Sequence, residues 1–264
     1  MKITMFQVDA FTDKLFGGNP AAVCLLTKWL PEVTMQAIAA ENNLAETAFI
    51  VRIDDGYEIR WFTPIVEVDL CGHATLASAH VIFNYLDHKG SEILFSSRLS
   101  GVLRVTRDGK RLALDFPSDS FEKVPTPEAL KVGLGVEPME TYKGKTDYMA
   151  ILPSEQFVTE LMPDFATLNS LKDCRGIIVT AEGKDADFVS RFFAPQCGIN
   201  EDPVTGSAHT TLTPYWAKTL GKDNLSAIQL SDRKGHLWCK YNGNRVSISG
   251  HAVTYMHAEI EVGD

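Results

Sequence analysis

The chain has no run approaching the roughly 18 apolar residues that a membrane-crossing helix needs. Its first residues, Met1-Lys2-Ile3-Thr4-Met5-Phe6-Gln7-Val8-Asp9, alternate like a strand. They carry neither the apolar h-region nor the small-residue cleavage site of a secretory signal. Basic patches are missing as well. The longest basic cluster, Asp232-Arg233-Lys234, is far short of a nucleic-acid stripe, and the formal net charge is −9. Cysteine is scarce: five residues, at 24, 71, 174, 197 and 239, odd in number, widely spaced and without a C-x-x-C pair. That pattern argues against a disulfide framework or a zinc knuckle. Cys71 apart, the cysteines are expected to act as small core hydrophobes. There is no G-x-S-x-G, so Ser207 is not an elbow nucleophile, and no G-x-G-x-x-G, Walker A or H-E-x-x-H pattern. The expectation is a cytoplasmic protein without nucleic-acid or membrane partners. No metal and no cofactor is called for, so side chains carry the chemistry.

What is present is ordinary globular sequence, 45% hydrophobic and 22% charged over 264 residues. That length suits two domains of about 130 residues, each with its own core. It also repeats itself. Arg60-Trp61-Phe62-Thr63-Pro64 is echoed by Arg191-Phe192-Phe193-Ala194-Pro195, and Cys71-Gly72-His73-Ala74 by Thr205-Gly206-Ser207-Ala208, with three extra residues in the second copy. Thr47-Ala48-Phe49-Ile50-Val51 pairs with Gly176-Ile177-Ile178-Val179-Thr180, and Gly109-Lys110-Arg111-Leu112 with Gly243-Asn244-Arg245-Val246. Four matches in one order point to an internal duplication.

Each copy reads alike. A helix opens on proline, Pro31 to Ala40 or Pro163 to Leu171. Two strands follow. A second helix, His73 to Leu86 or Ser207 to Leu220, carries small residues on one side and apolar bulk elsewhere, as suits a helix buried in a curved sheet. Asp108-Gly109 and Asn242-Gly243 mark a hairpin in each copy. The expected fold is α+β, with two pseudo-symmetric lobes at 1–117 and 118–264, joined through the proline-rich stretch from Pro117 to Pro127.

Two helix starts preceded by glycine offer backbone N–H groups and a partial positive charge. If the lobes face each other across a cleft, Gly72-His73 and Gly206-Ser207 would grip a carboxylate there; the alternative is plain helix capping, which suits Ser207. Glu46 lies among apolar neighbours just ahead of a strand, where a desolvated carboxylate makes a good base; the alternative is an exposed loop acid. Asp202 sits in the insertion that breaks the repeat, held extended by Pro203, and is preferred there over Glu201; the alternative is an ordinary acidic turn. His73 can donate, accept or change charge near neutrality. His80, His88, His209, His236, His251 and His257 are read as structural.

Asp9-Ala10-Phe11, Gly18-Asn19-Pro20-Ala21-Ala22-Val23, Asn43-Leu44-Ala45-Glu46-Thr47, Gly72-His73-Ala74 and Glu201-Asp202-Pro203-Val204-Thr205-Gly206-Ser207-Ala208 together resemble the PhzF-like isomerase family of phenazine biosynthesis. The resemblance implies the duplicated diaminopimelate epimerase-like fold. In that fold each lobe wraps a barrel-like mixed β-sheet round a central helix, and the last strand crosses back to the first lobe. It also implies a homodimer and a cofactor-free isomerisation of a small carboxylate. By motif match Glu46 is the proton-transferring base, His73 and Asp202 assist it, and Gly72, Gly206 and Ser207 hold substrate. Two other readings stand beside this one. A binding module for small acids or a partner would use the fold without turnover. An epimerase or racemase of the same fold would need a cysteine at both helix starts. Here Cys71 is matched by Thr205, whose hydroxyl is a far weaker acid than a thiol.

Overall fold

The structure is a computed structural model and describes residues 1–263. Its backbone divides into two compact units: Met1–Asp115 with the segment from Ser249 onward, and Phe116–Ile248. Both mix strands with helices, so the fold is α+β, and no helix among the described residues is long and apolar enough to cross a membrane.

The first unit runs β1 (Lys2–Ala10), β2 (Asn19–Leu26), α1 (Glu32–Asn42), β3 (Glu46–Ile53), β4 (Gly56–Phe62), β5 (Glu67–Val68), α2 (Gly72–Tyr85), β6 (Glu92–Ser97), β7 (Gly101–Asp108) and β8 (Arg111–Pro117). β2 and β3 are parallel, which requires the crossover that α1 supplies. β3 and β4 are antiparallel, β4 and β6 parallel with α2 in the crossover, and β6 and β7 antiparallel. β7 turns into β8 through Gly109, whose φ of +62° is open to glycine without strain. α2 is covered almost all round. Residues from His73 through Ala79 and from Val81 through Phe83 are buried, and the helix packs on β1, β2 and β3. Its small residues are what allow the close approach.

The second unit runs β9 (Phe121–Val124), α3 (Glu128–Leu134), β10 (Glu140–Gly144), β11 (Asp147–Ile151), α4 (Glu155–Thr159), α5 (Phe165–Leu168), β12 (Gly176–Glu182), β13 (Phe188–Phe193), α6 (Ala208–Leu220), β14 (Asn224–Gln229), β15 (Gly235–Tyr241) and β16 (Arg245–Gly250). From β11 through β15 the neighbours alternate parallel, antiparallel, parallel and antiparallel, the same order as from β2 through β7 with β5 set aside. α6 again fills the second crossover. It carries Pro214, which lacks the N–H that would bond the Thr210 carbonyl; the backbone N–H of Asp119 takes that carbonyl instead, at 3.1 Å. The chain then returns to the first unit as β17 (Ala252–Glu261), antiparallel to β1 along its whole length.

Several local expectations differ from what the residues do. The helix expected from Pro163 to Leu171 is only the four residues of α5, with Asp164 capping Ala166 and Thr167. Asn169 and Ser170 end it, the Ser170 hydroxyl donating to the Thr167 carbonyl. The stretch from Pro117 to Pro127 is not simply a link. It contains β9, paired with β10, where the Phe121 ring meets the edge of Tyr142 at 5.5 Å. Of the cysteines read as core residues, Cys24 and Cys239 are buried and burial raises both thiols to about 12, but Cys174 is half-buried and Cys197 exposed. Cys197 ends a short 3-10 turn that Gly198 closes at φ +79°, which turns it outward.

Candidate active site

In the first unit, Glu46 opens β3, directly after a turn in which Asn43 takes a left-handed φ of 48°. His73 is the second residue of α2 and Cys71 its N-cap, with no side chain capping the helix start. Asn19 opens β2. The preceding Gly18 stands at φ +61° against the Ala10 carbonyl, where a Cβ would lie 2.1 Å from the oxygen, so only glycine delivers Asn19 to its place. The three elements bring Glu46, Cys71, His73 and Asn19 together. Glu46 Oε2 is 3.2 Å from His73 Nε2, Asn19 Nδ2 is 3.2 Å from His73 Nδ1, and Cys71 Sγ is 3.4 Å from the same nitrogen.

Those contacts fix the imidazole. The Asn19 amide N–H faces Nδ1, which therefore accepts; a neutral ring then carries its proton on Nε2, the nitrogen 3.2 Å from Glu46 Oε2. The ring is buried, and loss of hydration lowers its pKa to about 3, so it stays neutral. Its neutral Nε2–H can hold a carboxylate in place without giving up its proton. The ligating atoms of Glu46, Cys71 and His73 all lie within 4.8 Å of one another, a set that could hold a metal ion.

In the second unit the loop before α6 is pinned along its length. The Asp202 N–H donates to the Phe192 carbonyl (3.0 Å), and the Ser231 hydroxyl to the Pro203 carbonyl (2.8 Å). Gln229, fully buried, accepts from the Thr205 N–H at 2.8 Å and donates to the Asp202 carbonyl at 2.8 Å. Thr205 in turn donates its hydroxyl to Asp202 Oδ2 at 2.5 Å. Glu201, the neighbouring acid, is held by Arg191 through two bonds of 2.7 and 2.8 Å. Gly206 precedes the helix and its carbonyl accepts from the His209 N–H at 3.0 Å. Ser207 does not cap α6 with its side chain; its Oγ accepts from Arg175 Nη2 at 3.0 Å. Arg175 also grips the buried Asp147 through bonds of 3.0 and 2.5 Å. Burial works against the guanidinium charge, yet the bond to Asp147 and its negative charge outweigh that, and the pKa of Arg175 stands above its ordinary value.

Glu46 and His73 are thus in contact in one unit, and Asp202 and Ser207 lie in one loop of the other. Sequence reasoning passed over Asn19, Arg175, Asp147 and Gln229. The repeat itself carried one signal. With Thr47 matched to Gly176 and Gly72 to Gly206, Glu46 falls opposite Arg175, and His73 opposite Ser207. Both pairs of positions are in contact in their own unit, an acid on an imidazole in the first and a guanidinium on a hydroxyl in the second. A cavity of about 300 Å³ lined by Trp29, Glu58, Arg60 and Arg98 includes none of these residues.

Comparison with known proteins bears on the whole chain. The profile of the family described as phenazine biosynthesis-like protein matches residues 8–258. An uncharacterized isomerase of Pseudomonas aeruginosa is 53% identical over 262 residues, covering 99% of this chain and 100% of its own. The crystal structure of a phenazine biosynthesis PhzF family protein from Enterococcus faecalis, 47% identical, superposes with a TM-score of 0.96 over 99% of this chain and 100% of its own. A hydroxyproline epimerase from Agrobacterium vitis shares the fold alone, at 10% identity and a TM-score of 0.62 over 100% of this chain and 93% of its own.

Proposed function

The chain belongs to the phenazine biosynthesis-like (PhzF) isomerase family, and on that premise we propose that it moves a proton between carbons of a small carboxylate substrate with Glu46 as the base. The observation that carries this is the buried contact of Glu46 Oε2 with the neutral imidazole of His73, 3.2 Å away. A carboxylate held by a neutral donor keeps its charge and its lone pair for a carbon acid. In the proposed step Glu46 takes a proton from a carbon next to an electron-withdrawing group. The C–H electron pair moves into the conjugated system, and the protonated Glu46 returns its proton to a different carbon. Nothing is oxidised or reduced, and no cofactor is needed for the electron count.

His73 positions Glu46. Asp202, oriented by Thr205 and Gln229, is the proposed helper for the substrate's polar groups. Gly72, Gly206 and Ser207 are proposed as substrate-binding residues, and the cation of Arg175 behind Ser207 favours an anion beside that hydroxyl. Two-thiol racemisation is disfavoured, because the position opposite Cys71 is Thr205, a hydroxyl already donated to Asp202. The shared order of strand pairings in the two units suits an origin by duplication; a barrel-like sheet about each crossover helix and a homodimer are proposed from the family resemblance alone.

The test is solvent exchange. The protein would be incubated in heavy water with a panel of cyclic and amino carboxylates, and deuterium uptake read by mass spectrometry beside Glu46→Gln. The reading expects uptake with at least one class of acid and a loss of about 10²–10⁴-fold in the variant, with binding largely kept. Exchange undiminished in Glu46→Gln would overturn it. Tight binding of small acids with no exchange at all would favour a binding module instead.

A further inference from the structure

We propose that Arg60 with Glu67, and Arg191 with Glu201, are two copies of one positioning clamp, each setting the working side chain beside its own helix start: His73 in the first unit and Asp202 in the second. Arg60 lies on β4 and Glu67 opens β5. Arg60 Nε and Nη2 donate to the two Glu67 carboxylate oxygens at 2.7 and 2.6 Å. Arg191 lies on β13, and its Nε and Nη2 donate to the two Glu201 oxygens at 2.7 and 2.8 Å. Each guanidinium also lies over the ring two residues on, Phe62 at 5.2 Å and Phe193 at 5.0 Å. Glu67 precedes Cys71 by four residues, and Glu201 precedes Thr205 by four.

The pleat of the strand explains the arrangement. Side chains two apart share a face, so the stem of Arg60 runs beside Phe62. Phe62 is the partner of Glu67 across β4 and β5, which puts the carboxylate diagonal to the fork. Trp61 is paired with Val68 in the same ladder. In the second unit the Asp202 N–H donates to the Phe192 carbonyl at 3.0 Å. Phe192 matches Trp61 in the repeat, so Asp202 falls opposite Val68, and the three extra residues lie between Phe193 and Glu201. One frame thus carries an apolar residue in the first unit and an acid in the second.

Neither pair is an ordinary surface contact. Arg60 and Glu67 are 14% and 13% exposed, Arg191 and Glu201 12% and 22%. A two-pronged contact between guanidinium and carboxylate fixes angle as well as distance, which a lysine ammonium does not. Each arginine has a second anchor. Arg60 Nη2 donates to Glu32 in the first turn of α1 at 2.8 Å, and Arg191 Nη1 to the Val158 and Leu161 carbonyls at 3.2 and 2.8 Å. Arg98 adds a longer bond to Glu67, at 3.3 Å. From Glu67 the chain runs directly to Cys71 and His73. Asp202 follows Glu201 and is held extended by Pro203; successive side chains of an extended chain point to opposite sides, so gripping Glu201 aims Asp202 away from Arg191. The clamps stand on these bonds. That the side chains they place act on substrate rests on the roles of Glu46, His73 and Asp202 proposed above.

The test replaces each fork by a single charge. NMR shifts of the His73 ring nitrogens and the Asp202 carboxyl carbon would be read without substrate, and deuterium uptake measured beside them. Arg60→Lys should move the His73 nitrogens, leave the Asp202 carbon in place, and slow uptake by roughly 10–100-fold through kcat, with KM held within about threefold. Arg191→Lys should move the Asp202 carbon, leave the His73 nitrogens in place, and slow uptake by a similar factor. If a lysine variant does not fold, Glu67→Gln or Glu201→Gln, which keeps the side-chain shape, carries the same expectation. Parent shifts in a folded variant would overturn its clamp. Shifts that move in both units at once would overturn it too, since they mark general loosening of the fold. Shifts that move while uptake keeps the parent rate would overturn the link to turnover. A parent protein that exchanges nothing would count against the isomerase reading, while the shifts still decide the clamps.

Discussion

His73 is held at both ring nitrogens, by Glu46 Oε2 at 3.2 Å from Nε2 and by Asn19 Nδ2 at 3.2 Å from Nδ1. A neutral imidazole carries one proton, so fixing an acceptor role at Nδ1 fixes a donor role at Nε2. Asn19 therefore sets which way Glu46 is addressed although it lies one residue removed from it. Asn19→Ala should release the ring into a mixture of tautomers, visible in the nitrogen NMR shifts of His73. It should also slow exchange by about tenfold and cost about 1–3 kcal/mol of stability through the orphaned buried group. An unaltered tautomer would separate Asn19 from the site.

Arg175 balances a buried acid. Asp147 is 4% exposed and takes two bonds from the guanidinium. Removing one partner leaves the other charged and desolvated, which typically costs about 3–5 kcal/mol. Arg175→Met should lower stability by about that much in urea melts. The double variant Asp147→Asn/Arg175→Met should recover most of it. KM for a carboxylate substrate should stay raised in both, since neither restores the cation behind Ser207. A double variant with the original KM would remove Arg175 from substrate binding.

Gln229 ties the loop that carries Asp202. It bonds the Thr205 N–H, the Asp202 carbonyl and, at 3.2 Å, the Thr205 hydroxyl. Gln229→Leu keeps the volume and strands those groups, so it should destabilise by about 1–3 kcal/mol. If the loop serves the reaction, kcat should fall more than Gln229→Glu lowers it, because glutamate still accepts from Thr205. Equal kcat in both variants and the parent would reduce Gln229 to a structural role.

Acid should unfold the protein through its histidines. His209 is buried on α6, its Nδ1 bonded to the Thr205 carbonyl at 2.8 Å; burial lowers its pKa to about 4. An unfolded histidine titrates near its ordinary value. Between those two values the unfolded chain takes a proton that the folded one refuses. Stability is thus complete above the unfolded pKa and declines as pH falls towards the folded one, by up to about 1.4 kcal/mol per pH unit for one group. His73 and His80, lowered to about 3 and about 4 mainly by burial, add in the same direction. Urea midpoints at pH 6.5 and 4.5 should differ less in His209→Gln than in the parent. The same difference in both would refute the assignment.

Much of the architecture was legible because its signals are local or repeated. Asp108-Gly109 and Asn242-Gly243 mark real turns, both glycines at positive φ, and the helices read at His73 and Ser207 begin within a residue of α2 and α6. The helix expected to start at Pro163 was overread, since proline and apolar spacing cannot weigh Asn169 and Ser170 competing for the backbone. For the proposed site, apolar neighbours ahead of a strand marked Glu46, the glycine before a helix marked His73, and the insertion with Pro203 marked Asp202. The supporting shell escaped, because a buried glutamine at 229 or an asparagine at 19 has no periodicity; only the folded chain shows what each one bonds. Arg175 could have been found by asking what the second copy carries opposite Glu46.

The pairing of β17 with β1 sets the order of assembly. Lys2 lies opposite Glu261 and Ala10 opposite Ala252, so β1 waits for a strand about 250 residues further along the chain before its hydrogen bonds on that side close. The second unit is contiguous and needs no such wait; its contacts can form while the first unit still lacks a strand. Closure across so long a stretch of chain is slow because the intervening segment must first give up its freedom. Folding Phe116–Ile248 beforehand shortens the effective loop that β1 and β17 must close.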